Sequence, residues 1–252
     1  MKIIGHRGAA GLALENTLPS LELARLLGVD AIEFDIRKTK DNRLVLCHDS
    51  DLSRISNNAA KLSDLTLQEL QLITLNDEQS HVPSLEEALQ MVGPSPVIIE
   101  IKQRGCAQEL IAVLERFPKL DFTVVSFMLD ELTDLRDRRP ELRLVGLERT
   151  KPFDIIHFAK QRKLNGVGLN FWLLNPLTYW LIRRAGLSLY VYTVNNRLLG
   201  NFIRILYPQT AICTDHPEWF IKHPWLRLRQ NGVGKPSRLH IKPPKAAKSG
   251  KL

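Results

Sequence analysis

Residues 31–37 read Ala-Ile-Glu-Phe-Asp-Ile-Arg, and this stretch sets the pattern from which the fold follows. Successive side chains of a β-strand point to opposite faces, so Glu33, Asp35 and Arg37 share one face and the apolar residues share the other. In a parallel barrel the apolar face packs against the helices, and the carboxylates lie inside, near the carboxyl end of the strand. Buried carboxylates cost several kcal/mol unless they are paired or bind a metal. This segment alone leaves two alternatives: an ion pair with Arg37 or Lys38, or a bound cation.

Short runs rich in β-branched residues recur along the chain, and each is followed by a longer segment with helical periodicity. Eight strands that alternate with helices require parallel pairing and right-handed crossovers. An open doubly wound sheet also fits this alternation, but the count of eight and the length of 252 residues favour an α/β fold of the (β/α)8 TIM-barrel type. The predicted strands are residues 2–5, 31–36, 97–101, 123–126, 142–147, 166–169, 189–194 and 210–213. The predicted helices are residues 17–28, 84–92, 106–117, 129–139, 152–163, 176–186, 196–206 and 217–228.

The connection between the second and third predicted strands is longer than one strand–helix unit needs. It contains an extra strand at residues 44–48, and we predict a small insertion after the second strand, at about residues 49–83. Thr66 with Glu69, and Ser84 with Glu87, predict helix capping boxes. The barrel domain is predicted to span residues 1–230. Residues 231–252 are rich in Gly, Pro and Lys and are predicted to form a disordered basic tail.

The net charge of +8 is unevenly placed. Residues 219–252 contain nine Lys or Arg and no acidic residue, whereas the first 218 residues have a net charge of −1. Such a run is typical of a solvated tail that makes at most weak contact with a membrane surface, so nucleic-acid binding is not expected. The three cysteines, Cys47, Cys106 and Cys213, show no metal-binding or disulfide spacing, which indicates reduced thiols and a cytoplasmic protein. The sequence contains no uninterrupted apolar stretch of about 20 residues, the length that a membrane span needs.

A second strand repeats the pattern of buried charge. In the predicted strand at 97–101, Glu100 lies on the same face as Lys102, which follows it. On a neighbouring barrel strand Glu100 would reach the same mouth as Glu33 and Asp35, and three carboxylates there suit a hard divalent cation, Mg²⁺ or Ca²⁺. Lys102 would then face an anionic group or neutralise Glu100. Agreement between two strands favours the metal over a simple salt bridge.

Two histidines follow predicted strands, where barrel active sites lie. His6 begins His6-Arg7-Gly8, and His48 is followed by Asp49. Two imidazoles can supply an acid and a base at neutral pH, and the guanidinium of Arg7 can bind a phosphate with two hydrogen bonds. A single histidine is more often structural, and the remaining five, at positions 81, 157, 216, 223 and 240, are interpreted in that way.

Together these motifs resemble the glycerophosphodiester phosphodiesterase family. The resemblance covers about residues 1–220, and its strength lies in the order of many individually weak motifs. These are His6-Arg7-Gly8, Glu15-Asn16-Thr17, Glu33-x-Asp35, Lys40-Asp41-Asn42, Val45-x-x-His48-Asp49, Val82-Pro83-Ser84-Leu85-Glu86-Glu87, Glu100-x-Lys102, Ser126-Phe127 and Thr214-Asp215-His216-Pro217.

The resemblance implies a barrel with a small insertion and a complete set of site residues. It implies a divalent metal held by Glu33, Asp35 and Glu100, and it makes His6 and His48 the acid–base pair. It also implies that Arg7 and Lys102 bind phosphate and that Glu15 orients the first loop. The implied substrate is a small glycerophosphodiester, with sn-glycerol 3-phosphate and an alcohol as products.

The sequence departs from the family at two positions near the mouth, and these departures bear on substrate shape. Family members usually carry Trp-Thr where this chain has Tyr192-Thr193, and they often carry tyrosine in place of His216. A lysophospholipase D that accepts lysolipids is therefore an alternative, with Phe127, Trp172 and Tyr192 either lining an apolar approach or packing the barrel. A catalytically dead barrel that binds a membrane or nucleic acid through residues 222–252 is a second alternative. The sequence leaves the oligomeric state open.

Overall fold

Eight parallel strands form a closed barrel in the computed structural model, which describes residues 1–232. In their order around the barrel, the strands are β1 (Ile3–Gly5), β2 (Ala31–Lys38), β4 (Val97–Ile101), β5 (Phe122–Ser126), β6 (Leu144–Glu148), β7 (Gly166–Asn170), β8 (Ser188–Tyr192) and β9 (Ala211–Thr214). Pairing of β9 with β1 closes the sheet. The predicted (β/α)8 TIM barrel is therefore confirmed.

Helices surround the barrel and follow its strands. Thr17 caps the first helix by accepting a hydrogen bond from the Ser20 amide, and Gly28 ends it in the left-handed conformation. Both predicted capping boxes, at Thr66–Glu69 and Ser84–Glu87, are present. The helices are α1 (Leu18–Leu27), α2 (Leu67–Gln71), α3 (Leu85–Val92), α4 (Ala107–Leu114), α5 (Leu129–Arg138), α6 (Pro152–Gln161), α7 (Pro176–Arg184), α8 (Arg197–Leu206) and α9 (Pro224–Gln230).

The prediction of one helix over residues 217–228 is wrong. A 3₁₀ turn at Pro217–Trp219 comes first, and α9 begins only at Pro224. His223 adopts a positive φ of 54°, which breaks a helix, and proline favours the first helical position. α9 packs on α1: Leu228 is fully buried, and the Arg227 guanidinium donates to the Leu27 carbonyl.

Strand register places the charged residues of β2 and β4 side by side. Asp35 pairs with Glu100, and Glu33 pairs with Ile98. Ile32, Phe34 and Ile36, on the other face of β2, are fully buried in the layer between the barrel and its helices. The side chains of β2 therefore alternate as the sequence predicts: the apolar ones face the surrounding helices, and the carboxylates face the inside of the barrel.

The long connection after β2 has a core of its own. It contains β3 (Leu44–Leu46), which pairs antiparallel to β2, a 3₁₀ turn at Leu62–Asp64, and α2. Its apolar residues form a cluster separate from the main core: Val45, Cys47, Leu52, Ile55, Leu62, Leu70, Leu75 and Val82. This packing is consistent with the predicted insertion, although its bounds and those of the barrel domain stay predictions. Of the predicted tail, only Asn231 and Gly232 lie within the described residues. Among these residues no helix has the length and apolarity to cross a membrane.

Candidate active site

The mouth of the barrel, at the carboxyl ends of the strands, gathers the predicted carboxylates. Glu33, Asp35 and Glu100 are 2%, 0% and 8% exposed, and their ligand oxygens lie within 4.8 Å of one another. Glu33 Oε1 and Asp35 Oδ1 are buried without a hydrogen-bond partner. Burial, followed by repulsion from Asp35, raises the pKa of Glu33 to about 8, and the same two causes raise the pKa of Glu100. A concentration of hard oxygen atoms with unused acceptor capacity fits a divalent cation.

A second group at this place could also hold a metal by position alone. His6, Glu33 and Cys213 bring three ligand atoms within the same distance limit. Burial raises the pKa of the Cys213 thiol far above its usual range, and the negative charge of Glu33 adds to the effect. Mg²⁺ and Ca²⁺ prefer carboxylate oxygen to thiolate sulfur, so the cluster of Glu33, Asp35 and Glu100, hereafter the carboxylate cluster, is the better site for them.

The carboxylate cluster pairs with Arg7 and Lys102 and not with the cations at the end of its own strand. Arg37 donates to the carbonyl of His48, and Lys38 donates to Gly105 and pairs with Glu109, so the alternative of an ion pair between the β2 carboxylates and Arg37 or Lys38 is not the arrangement seen. Those two side chains lie at the end of β2, beyond the reach of its buried carboxylates.

Arg7 and Lys102 take that place instead. Arg7 Nε lies 3.1 Å from Asp35 Oδ2, and Lys102 Nζ lies 2.7 Å from Glu100 Oε1 and 3.6 Å from Asp35 Oδ1. Two cations beside the three carboxylates leave room for an anion at the mouth, which suits a phosphate group.

The first loop is shaped so that Arg7 turns toward the carboxylate cluster. Arg7 and Gly8 have positive φ angles of 50° and 87°. Both backbones are in the left-handed region, which glycine adopts readily. The Arg7 amide donates to Glu33 Oε2 at 2.9 Å, and the Gly8 amide donates to the Glu33 carbonyl. A Cβ at Gly8 would collide with Ser20, so the loop requires glycine here.

His6 is the more basic of the two histidines. Its Nδ1 lies 2.6 Å from Asp215 Oδ1. Burial opposes protonation, but the hydrogen bond to Asp215 and the negative charge of Glu33 outweigh it, so the pKa of His6 is raised. Because Nδ1 faces a carboxylate, the proton that His6 can exchange with a substrate is the one on Nε2.

His48 has the opposite tendency. Its Nδ1 lies 2.7 Å from Asp49 Oδ1, which leaves Nε2 free in the same way. Burial and the positive charge of Arg7 lower the pKa of His48, although Asp35 and Asp49 oppose them. At neutral pH His48 is therefore suited to accept a proton, and His6 is suited to donate one.

This fold and these motifs match known proteins. The sequence profile of the Glycerophosphoryl diester phosphodiesterase family matches residues 6–219, most of the chain. The chain belongs to this family. Membership makes the protein a phosphodiesterase, which is a hydrolase.

Relatives of this phosphodiesterase cover from about half to nearly nine tenths of its length. A glycerophosphodiester phosphodiesterase of Bacillus subtilis is 29% identical over 250 residues, covering 87% of this chain and 85% of the relative. A phosphodiesterase of Oleispira antarctica, solved in complex with the product sn-glycerol 3-phosphate, superposes with a TM-score of 0.81 at 24% identity, covering 89% of this chain and 96% of that one. A lysophospholipase D of Mus musculus is 29% identical over 140 residues, covering 49% of this chain and 42% of the relative.

A chain of ion pairs links the two histidine loops of the phosphodiesterase. Glu15 Oε1 accepts from Arg7 at 2.7 Å, and both Glu15 oxygens accept from Arg54 at 2.6 and 2.7 Å. Arg54 Nε in turn donates to Asp49 Oδ2 at 2.6 Å, and Asp49 holds His48. Glu15 therefore lies beside the first loop and connects that loop to the insertion.

Three further residues hold the site, and the sequence prediction gave none of them a role. Asn16 donates to Asp35 Oδ2 at 2.9 Å and accepts from the Asp35 amide. Asp215 holds His6 and accepts from Asn195. Asn16 and Asp215 belong to the family motifs Glu15-Asn16-Thr17 and Thr214-Asp215-His216-Pro217, which are a signal in the sequence, whereas Arg54 belongs to none of the family motifs.

An apolar and charged cavity opens beside the carboxylate cluster. It has a volume of about 300 Å³ and is lined by Glu100, Ile101, Lys102, Phe127, Met128, Glu148 and Arg149. The Arg149 guanidinium lies 4.3 Å from the centre of the Phe127 ring, which packs edge-on against Tyr192. Phe127, Trp172 and Tyr192 are predicted either to line an apolar path to the site or to pack the barrel, and Phe127 lines this cavity. Tyr192 donates to the Glu148 carbonyl, and Trp172, in the turn after β7, is 80% exposed.

The other family departure, His216, lies next to the first loop. Its ring stacks on Trp219 with centroids 4.0 Å apart, and its Nδ1 lies 3.1 Å from Glu218. A Cβ on Gly11 would collide with this ring, so the imidazole packs directly under the loop that carries His6. These contacts agree with the structural role expected for this histidine.

Proposed function

We propose that the protein hydrolyses small glycerophosphodiesters to sn-glycerol 3-phosphate and an alcohol by histidine acid–base catalysis that depends on a divalent cation. The observation that carries the proposal is the pair of histidines at one mouth, each bonded through Nδ1 to an aspartate and each beside the carboxylate cluster. The Oleispira antarctica relative, whose structure holds sn-glycerol 3-phosphate, supports the choice of product.

The cation, Mg²⁺ or Ca²⁺, would be held by Glu33, Asp35 and Glu100. When bound it supplies Lewis-acid polarisation of a phosphate oxygen and fixes the substrate in place. The unpartnered oxygens of Glu33 and Asp35, and the raised pKa of Glu33, support this site because a bound cation would satisfy the oxygens and remove the repulsion.

The first chemical step is attack of the glycerol 2-hydroxyl on phosphorus. His48 Nε2, neutral because its pKa is lowered, accepts the hydroxyl proton. The bond between phosphorus and the alcohol oxygen breaks, and protonated His6 donates its Nε2 proton to that oxygen. The product of this step is a cyclic phosphate of glycerol and a free alcohol such as choline or ethanolamine.

The second step reverses the proton transfers. His6, now neutral, accepts a proton from a water molecule while the water oxygen attacks phosphorus. The bond between phosphorus and the glycerol 2-oxygen breaks, which opens the cyclic phosphate, and His48 donates its proton to that oxygen. Arg7 and Lys102, which lie beside Asp35 at the mouth, would contact the phosphate oxygens and stabilise the charge that collects on them. Both histidines thereby recover their starting protonation.

The test is hydrolysis of glycerophosphocholine, followed by release of sn-glycerol 3-phosphate with and without EDTA. We expect EDTA to abolish the rate and Mg²⁺ or Ca²⁺ to restore it, and we expect His48→Ala to lower kcat by at least about 100-fold. A rate that survives both EDTA and His48→Ala would overturn the proposal.

A lysophospholipase D activity at the same site is the second candidate. The Mus musculus relative bears that name, and Phe127 and Met128 give the cavity beside the carboxylate cluster an apolar wall. The same assay with lysophosphatidylcholine distinguishes the two, because a lysophospholipase D would release choline faster from the lysolipid than from glycerophosphocholine.

A further inference from the structure

We propose that the outer side of the barrel formed by α7 and α8 docks on the surface of an anionic lipid bilayer. Both helices turn large apolar side chains toward solvent. This α7–α8 face comprises Leu177, Trp180, Leu198, Phe202, Ile205 and Leu206, all of them exposed. Contiguous exposed apolar surface of this kind marks interaction sites on proteins that are otherwise well packed.

α8 carries apolar residues on the side that packs on the barrel and also on the side that faces solvent. Gly200 and Ile203 bury one side of the helix against the barrel. Leu198, Phe202 and Ile205, at helical spacings of i, i+4 and i+7, lie on the opposite side and are 80%, 57% and 73% exposed. The packing of the barrel therefore does not account for these side chains.

α7 continues the same surface. Leu177, Trp180 and Arg184 follow spacings of i, i+3 and i+7 and are all exposed. The Arg184 guanidinium lies 5.1 Å from the centre of the Trp180 ring. The rings of Tyr179 in α7 and Tyr207 after α8 are 5.1 Å apart, so the two helices are neighbours and their exposed sides form one face.

Charge along residues 149–206, from the loop after β6 to the end of α8, is positive and is not neutralised by ion pairs; Arg183, Arg184, Arg197 and Arg204 belong to α7 and α8 themselves. Residues 149–206 contain nine Lys or Arg and a single acidic residue, Asp154, whereas residues 1–148 contain seventeen basic and twenty-four acidic residues. All nine cations are exposed, and none pairs with a carboxylate in the described part of the chain. The nine are Arg149, Lys151, Lys160, Arg162, Lys163, Arg183, Arg184, Arg197 and Arg204.

The helices on the other side of the barrel differ in this respect. Arg116, after α4, pairs with Glu86 of α3, and Arg138 pairs with Asp134 within α5. On those surfaces basic side chains form ion pairs with acidic ones. On the side that carries the α7–α8 face the basic side chains form no such pairs among the described residues, so their charge can attract an anionic partner.

An anionic bilayer would bind both the exposed apolar side chains of the α7–α8 face and the unpaired basic residues around it. Tryptophan, leucine and phenylalanine enter the boundary between headgroups and acyl chains, and arginines at the edge contact acidic headgroups. A second copy of the chain fits less well, because two such faces would bring their unpaired cations together. A single-stranded nucleic acid would use the charge and aromatic rings but would leave Leu198, Ile205 and Leu206 uncovered.

Docking in this way would bring lipid close to the active site. Each helix begins at the end of the barrel where its preceding strand ends, so Leu177 and Leu198, in the first turns of α7 and α8, lie at the mouth end of the face. Trp172, exposed in the turn after β7, lies at the same end. The docking itself does not depend on the proposed hydrolysis, and a binding measurement tests it separately.

The test is flotation of the full-length protein with vesicles of phosphatidylcholine alone and with an equal mixture of phosphatidylcholine and phosphatidylglycerol. We expect binding to the mixed vesicles that is at least about tenfold tighter and that weakens with added salt. The triple variant Leu198→Gln, Phe202→Gln, Ile205→Gln should bind the mixed vesicles roughly 100-fold more weakly. The matched control is Leu72→Gln in the insertion, a leucine that is 81% exposed outside the face, and it should bind as the unchanged protein does.

A second pair of variants separates the face from the basic tail. Arg184→Gln with Arg204→Gln should weaken binding roughly tenfold or more, whereas Lys245→Gln with Lys248→Gln should have a much smaller effect. All of these variants should keep the melting temperature and the glycerophosphocholine hydrolysis of the unchanged protein. The proposal is overturned if the triple variant binds as tightly as the control, or if only the tail variant loses binding. It is also overturned if the triple variant instead dissociates a dimer in sedimentation.

Discussion

Glu33→Gln should make the metal-free protein more stable while removing its response to metal. The pKa of Glu33 is raised from 4.5 to about 8, first by burial and then by Asp35. A carboxyl whose pKa rises on folding destabilises the folded protein as pH rises from the unfolded value toward the folded one, at about 1.4 kcal/mol per pH unit. Between pH 4.5 and pH 7 this amounts to about 3 kcal/mol, and protonation at lower pH removes the cost.

Glutamine keeps the contact that glutamate makes and removes its charge. The Arg7 amide can still donate to the amide oxygen, as it donates to Glu33 Oε2 at 2.9 Å. In EDTA at pH 7 we therefore expect Glu33→Gln to raise the free energy of unfolding by up to about 3 kcal/mol, or about 6–12 °C in Tm, and to have little effect near pH 5. Glu22→Gln, at a half-buried position of α1 where the carboxylate lies 3.7 Å from Arg25, is the control and should change stability by less than about 0.5 kcal/mol.

The assay is thermal unfolding of both variants and the unchanged protein, in EDTA and in excess Mg²⁺ or Ca²⁺, across pH 5–8. Metal should raise the Tm of the unchanged protein and of Glu22→Gln, because it binds the folded carboxylate cluster, and should have little effect on Glu33→Gln. The reasoning is refuted if Glu33→Gln is less stable than the unchanged protein in EDTA at pH 7, or if metal protects it equally well.

Three further predictions concern the loops around the mouth. Asp215→Asn removes the interaction that raises the pKa of His6, so the alkaline limb of the pH–kcat profile should move to lower pH and kcat should fall about 10- to 100-fold; an unmoved limb would be inconsistent with this role. Arg54→Ala disconnects Glu15 from the insertion and should lower kcat/KM about tenfold in steady-state assays, with partial recovery in Arg54→Lys. Gly8→Ala should cost at least about 2 kcal/mol in denaturant unfolding, because φ is positive and Ser20 blocks the added methyl.

The barrel and the carboxylate cluster could be predicted because both follow from local alternation. The pattern of β2 fixes which face Glu33 and Asp35 occupy, and parallel pairing of adjacent strands places Glu100 beside Asp35. The partner of His6 could not be predicted in this way. Asp215 lies 209 residues away in sequence, and only closure of the barrel by β9 and β1 brings the two side chains together.

Other features were beyond sequence reasoning for different reasons. Arg54 reaches the site because the insertion folds over the first loop, and no periodicity predicts such a path. The last helix was misplaced because its pattern continues through His223, where the backbone turns left-handed. The net charge of the first 218 residues is close to zero because an acidic part, residues 1–148, offsets a basic part, residues 149–206. That the basic part includes α7 and α8, with their exposed apolar side chains, is apparent only from the barrel structure.

The most direct test of the proposed roles of His6 and His48 compares kcat/KM on two substrates that differ only in the leaving group, glycerophosphocholine and glycerophospho-p-nitrophenol. Nitrophenolate leaves without a proton, whereas the choline oxygen needs one. If His6 is the acid, His6→Ala should lose at least about 100-fold on glycerophosphocholine and about tenfold or less on the nitrophenyl ester. If His48 is the base, His48→Ala should lose the same large factor on both substrates. The assignment is contradicted if the pattern is reversed. In that case His6→Ala would lose the same factor on both substrates, and His48→Ala would lose less on the nitrophenyl ester than on glycerophosphocholine.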